Sequence, residues 1–100
     1  MTELRIATAG EALMDMLVQS DGRLLPCAGG AVYNVSRALA LQGVPTLYLN
    51  PLSTDRLGRQ LAARMLADGV VLDQPEGVHD VTSLAIVGLN DQGHPDYAFY

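Results

Sequence analysis

One hundred residues suffice for a single small domain or for a piece of a larger one, and with 49% of them apolar the chain is not expected to be disordered. The formal charge is −5 and the six basic residues are scattered, so no basic stripe exists to track a phosphate backbone and nucleic-acid binding is disfavoured. Cys27 is the only cysteine, which rules out an internal disulfide and fits a reducing cytoplasm.

The apolar N-terminus, MTELRIATAGEALMDMLV, lacks a basic start and is broken by Glu11 and Asp15. It is read as neither a signal peptide nor a membrane span, and no apolar run elsewhere approaches spanning length. Within it, residues 4–10 read as a buried strand ending at a glycine. Two short extended segments follow, separated by a turn at Ser20-Asp21-Gly22. After Gly29-Gly30 comes a helical pattern, with Ala31, Val32, Val35, Ala38 and Leu39 at three- and four-residue spacings, stopped by Gly43 and Pro45.

Residues 46–50 form the next strand, ended by Pro51. Ser53, Thr54 and Asp55 offer caps to a second helix. Its apolar face carries Leu57, Leu61, Ala62, Met65 and Leu66, its polar face Arg56, Arg59, Gln60 and Arg64, and Gly69 closes it. A short strand over 70–73 and a hairpin over 82–100, turning at Asp91-Gln92-Gly93, complete the chain. In that last strand Tyr97 and Tyr100 are assigned one face and Phe99 the other, all three packing by default.

Strands alternating with helices imply a parallel α/β sheet with right-handed crossovers. The two hairpins interrupt the alternation and are expected to pair into a separate small sheet, a β flap over the α/β core. Tyr100 falls inside a strand, and a three-stranded sheet with two helices would leave an edge and a face open. The segment is therefore expected to be the N-terminal portion of a longer protein.

Open α/β sheets bind ligands beyond the carboxyl ends of their strands. Asp15 lies just past the first strand, and Gly29-Gly30 leads into the first helix, whose opening turn contains Asn34. A helix start offers free N–H groups, Asn34 can donate and accept, and a carboxylate can accept two hydroxyl hydrogens. That combination suits a neutral polyol such as a sugar. Each residue also has a plainer reading: the glycines as a tight turn, Asn34 as a cap, Asp15 as a solvated strand-edge carboxylate. Cys27 has no neighbouring His or Lys to activate it, and His79 and His94 lack metal-ligand spacing, so neither a thiol nucleophile nor a metal site is expected. No G-x-x-x-x-G-K-[ST] or G-x-G-x-x-G phosphate cradle occurs.

Three stretches resemble the ribokinase-like (PfkB) carbohydrate kinases, in particular fructokinases and 2-keto-3-deoxygluconate kinases. GEALMDML is similar to the family's opening GE-x-L-[IV]-D segment. GGAVYNVSRALALQGVPTLYLNPLSTDRLGRQLAARMLADGV is similar to the first family signature, G-G-x-x-x-N followed by A-x-x-L-A-x-L-G, D-x-x-G and G-V. VTSLAIVGLNDQGHPDYAFY is similar to the hairpin that follows. The chain departs from the pattern at Ser53, where glycine is usual, and at Asn50-Pro51, which replaces a commoner glycine-containing stretch.

The resemblance implies a three-layer αβα core with a parallel sheet and a small β-sheet lid made by segments of about 12–27 and 82–100, residues 1–100 being part of one such domain. It implies phosphoryl transfer from ATP, with Mg2+, to a sugar hydroxyl, most simply fructose, with the keto-acid sugar or a nucleoside as alternatives. Asp15 would bind sugar hydroxyls, Gly29, Gly30 and Asn34 would hold the sugar at the helix start, and Tyr100 would supply an aromatic from the lid. The catalytic base and the nucleotide pocket would lie beyond Tyr100, so the segment alone is expected to be inactive. A cytoplasmic enzyme that dimerises through the lid and has no nucleic-acid or membrane partner is the full expectation. A non-catalytic sugar-binding module and a structural domain pairing through its flap strands are the competing readings.

Overall fold

The computed structural model describes residues 3–100. The elements in chain order are β1 (Ile6–Thr8), β2 (Leu13–Val18), β3 (Leu24–Gly29), α1 (Ala31–Leu41), β4 (Thr46–Tyr48), α2 (Arg56–Asp68), β5 (Val71–Leu72), β6 (Ser83–Leu89) and β7 (Pro95–Phe99). They form two sheets. The first is parallel, in the order β1-β4-β5. The second has the order β3-β2-β6-β7, two antiparallel hairpins joined by a parallel pairing of β2 with β6. The separate sheet expected from the two hairpins is therefore present, and its seam is parallel.

Both helices stop where backbone chemistry requires it. Gly43 and Gly69 have φ of 85° and 97°, a region that costs glycine little and other residues a good deal. At Gly69 the turn is completed by hydrogen bonds from Gly69 N to Leu66 O and from Val70 N to Met65 O, which satisfy carbonyls the helix leaves unpaired. At the other end of α2, the Asp55 carboxylate accepts from Gly58 N at 2.8 Å. Asp55 is the cap that the sequence offered alongside Ser53 and Thr54, and it wins because its side chain reaches the third N–H of the helix.

The core comprises Met14, Tyr33, Tyr48, Leu52, Leu61, Met65 and Val70, each buried. Tyr33 donates its hydroxyl to Leu61 O at 2.9 Å and lies under Arg37, which in turn pairs with Asp68; these contacts join α1 to α2. Burial raises the Tyr33 hydroxyl pKa and pushes that of Tyr48 up to about 12, so both stay protonated donors. The two helices thus form one layer against the parallel sheet, as right-handed crossovers in a single direction demand. The second helical layer of the expected three-layer arrangement is not among the described residues.

The apolar stripe read for α1 is rotated from the face the structure buries. Val35 is 52% exposed and Ala31 and Ala38 are exposed, whereas Tyr33 and Ser36 are fully buried. The buried face runs through polar residues whose hydroxyls are satisfied: Ser36 Oγ donates to Val32 O at 2.7 Å and meets Thr8 Oγ1 at 2.6 Å. A hydrophobicity count passes over such residues, although a hydrogen-bonded hydroxyl buries at little cost. On α2 the stripe holds, with Leu61 and Met65 buried and Leu57 and Ala62 half-buried; Leu66 alone is exposed.

Candidate functional site

The chain passes between the two sheets at three places, and the candidate residues cluster there. β1 leaves the first sheet at Gly10, whose N–H donates to Asn50 Oδ1 at 2.7 Å and whose carbonyl accepts the Tyr48 hydroxyl. β3 returns to the first layer through Gly29 and Gly30 and opens α1. β6 begins at Ser83, immediately after the buried Thr82.

The two glycines solve two different steric problems. A Cβ on Gly29 would run into the carboxylate of Asp15, so the missing side chain is the space the carboxylate occupies. Gly30 has φ of 109°, and a Cβ there would stand 2.5 Å from the Glu11 carbonyl oxygen. Its conformation and its neighbour both require glycine. The close approach at this pair is thus one of the chain to itself, with Asp15 brought onto the backbone that starts α1.

That start carries no side-chain cap and no acidic residue in its first turn. The first helical hydrogen bond runs from Asn34 N to Gly30 O at 2.9 Å, leaving the N–H groups of residues 31–33 without an intrahelical partner. Such donors, at the positive end of the helix dipole, favour an oxygen-rich ligand. Asn34 is exposed on this first turn, and Asp15 is half-buried. Neither of the two ion pairs among the described residues, Arg23–Asp21 and Arg37–Asp68, involves Asp15.

Strand register decides which side chains share the Asp15 face. Asp15 pairs with Cys27 on β3 and with Ala85 on β6, and Ala85 pairs with Phe99 on β7. Partners in register point to one side of a sheet, so Asp15, Cys27, Ala85 and Phe99 lie on one face. Tyr97, paired with Val87, joins them, and its ring stacks on Phe99 with centroids 6.0 Å apart. Tyr100 exchanges both backbone hydrogen bonds with Leu84, which shares the opposite face with Met14. The assignment of Tyr97 and Tyr100 to one face is therefore corrected: a strand alternates every residue, so Tyr97 goes with Phe99 and Tyr100 goes across.

The structure brings Asp15, Gly29 and Gly30 together, sets Asn34 one turn into α1, and leaves Tyr100 on the far side of the sheet. The aromatic on the Asp15 face at this end of β7 is Phe99, which only the β2–β6–β7 register reveals. Glu11 and Ser83 were likewise missed; the Ser83 hydroxyl donates to Glu11 Oε1 and ties two of the crossing points together. Pro26 and Cys27, with Met14, Ala28, Gln60, Ala63 and Arg64, line a cavity of about 570 Å³ against α2 on the Met14 side of the sheet. Of its strand residues, Met14, Pro26 and Ala28 belong to the face opposite Asp15, and Cys27 alone is shared with the Asp15 face.

No family model matches the chain. Curated relatives do. Fructokinase from Escherichia coli is 37% identical over 98 residues, covering 95% of this chain and 31% of the relative. Among solved structures, fructokinase from Xylella fastidiosa superimposes with a TM-score of 0.84 at 35% identity, over 95% of this chain and 31% of that one, and a second structure of it carries bound ATP. A PfkB protein from Polaromonas sp. JS666 gives a TM-score of 0.76 at 26% identity, over 98% and 35% of the two chains. The chain spans about a third of the length of the relatives it matches. Over that span its sequence is similar to the fructokinases, and its fold matches the corresponding part of the α/β fold of the PfkB sugar kinases.

Proposed function

We propose that this chain forms the sugar-binding part of an ATP-dependent sugar kinase, and that fructose is the acceptor. The observation that carries the reading is the Asp15 carboxylate seated over Gly29, beside the uncapped first turn of α1. In this reading Asp15 accepts hydrogens from two sugar hydroxyls, and the N–H groups at the helix start and Asn34 hold a third. Gly29 and Gly30 fix the carboxylate in place. Phe99 takes the aromatic role expected of Tyr100, since it shares the face with Asp15.

The second sheet acts as a lid that excludes water, the competing phosphoryl acceptor. Apolar residues exposed on both of its faces, among them Leu89 and Phe99 on one side and Leu24 and Tyr100 on the other, support a lid that also pairs with a second copy of the chain. Positioning does most of the work in phosphoryl transfer, and positioning is what these residues supply. Among the described residues no group of His, Cys, Asp and Glu could hold a metal ion. In this reading the Mg2+ that accompanies ATP, the nucleotide contacts and the catalytic base fall to residues beyond Tyr100. A cytoplasmic location is part of the proposal; among the described residues no helix is long and apolar enough to cross a membrane.

A coupled assay of ATP turnover by the full-length gene product, against fructose, ribose, ketodeoxygluconate and adenosine, tests the reading. Turnover with fructose alone or best is expected. Preference for ketodeoxygluconate or adenosine would reassign the acceptor, and a folded protein idle with all four would favour a binding module.

A further inference from the structure

The D-x-x-G stretch, Asp55 to Gly58, has no part in the sugar contacts described above, yet its carboxylate is one of the most heavily bonded groups in the chain. Oδ1 accepts from Gly58 N at 2.8 Å and from the Thr82 hydroxyl at 2.5 Å, while Oδ2 accepts from Thr82 N at 2.8 Å. One carboxylate thus caps α2 and holds the residue at which the chain enters β6. Partial burial pushes the Asp55 pKa up, but the bonds from Thr82, Gly58 and Ser53 outweigh it and hold the carboxyl at about 2, so it is ionised and accepts from all its donors at neutral pH.

The surroundings make this a joint rather than a chance contact. The loop before β6 is laced to the loop before α2 by Val78 N to Leu52 O and Thr54 N to Val78 O, both 2.9 Å. Gly58 allows the helix to start against the Ser53 carbonyl, where a Cβ would collide. Thr82 is only 9% exposed, so its two donors have little water to turn to if Asp55 is lost. Beyond it, β6 lies beside β2 with Ser83 opposite Leu13 and Ala85 opposite Asp15, and the Ser83 hydroxyl reaches Glu11.

We infer that Asp55 is a positioning residue that sets where Asp15 stands over the start of α1, acting through Thr82 and the β6–β2 register. A displacement at Thr82 moves β6, and β6 carries the strand that bears Asp15. This rests on the proposed sugar-kinase reading for its kinetic consequence, but the mechanical coupling can be measured without it.

The test uses the full-length protein as wild type, Asp55→Asn, Thr82→Val and Thr82→Ser. Asparagine keeps an acceptor for Gly58 and is as good a helix cap as aspartate, but it turns a donor toward Thr82 N. Hydrogen exchange in Asp55→Asn should rise about tenfold in residues 13–18 and 83–89 and change little in 56–68. Thr82→Val should show a smaller rise in the same strands, and Thr82→Ser should match wild type. In the fructose assay, KM for the sugar should rise about tenfold in Asp55→Asn with KM for ATP unchanged. Faster exchange confined to 56–68, or a Thr82→Val protein indistinguishable from wild type, would overturn the inference. A wild-type protein without turnover on any sugar would mean that the kinase reading had failed, and the exchange result would still decide the joint.

Discussion

The two sheets of this molecule are stabilised in different ways. The parallel sheet is closed on its helix side, where Tyr33, Tyr48, Leu61 and Met65 are essentially inaccessible and the buried Tyr33 hydroxyl meets a carbonyl, while Ile6 and Val71 in its edge strands stay exposed. The second sheet is open on both sides, with Val18, Leu24 and Tyr100 exposed on one face and Leu25, Leu89 and Phe99 on the other. Buried, hydrogen-bonded packing makes a rigid platform, while a sheet with little of its own core keeps its strands by register and by what holds their roots. The candidate site lies at the boundary, where a residue of the open sheet, Asp15, is pressed onto the first turn of a helix in the closed layer.

That contrast can be broken from either side. Met65→Ala would strike the closed layer, where a large buried side chain leaves a cavity, and should lower stability by about 3 kcal/mol in urea unfolding. Gly29→Ala leaves the core alone but drives a methyl group into the Asp15 carboxylate. It should cost about a hundredfold in sugar-dependent kcat/KM with little change in melting temperature, since an ångström of misplacement has that scale. Phe99→Ala should raise sugar KM by about tenfold, against less than about twofold for Tyr100→Ala, because only Phe99 shares the Asp15 face.

The smallest effect is the most diagnostic of the link between the sheets. Asp55 has its folded pKa depressed from 3.8 to about 2, so it stabilises the folded state fully above about pH 4 and loses that contribution as the pH falls toward 2. The melting-temperature gap between wild type and Asp55→Asn should therefore be largest near pH 6 and shrink on acidification. A gap that stayed constant down to pH 2 would contradict the network around Thr82.

Much of this was legible in the sequence because local chemistry wrote it. Gly43, Gly69 and the Ser-Thr-Asp cluster mark helix ends through backbone geometry that does not depend on the rest of the fold. Pairing of the two hairpins followed from their failure to fit the strand–helix alternation. The face of α1 was not legible, because Tyr33 and Ser36 are buried by hydrogen bonds that form only once β1 and α2 are in place. Nor was the placing of Phe99, rather than Tyr100, on the Asp15 face, which depends on a parallel seam between β2 and β6, 70 residues apart at Asp15 and Ala85. The glycine pair was legible as the lead into α1, but that Asp15 and Glu11 press on it is a fact of packing.

The most direct measurement is fructose-dependent ATP turnover by the full-length gene product carrying Asp15→Ala, beside the wild type. If Asp15 accepts two sugar hydroxyls over Gly29, kcat/KM for fructose should fall by about a hundred- to ten-thousandfold while the protein melts at nearly the wild-type temperature. A folded Asp15→Ala protein that turns fructose over at a near-normal rate would contradict the proposed site.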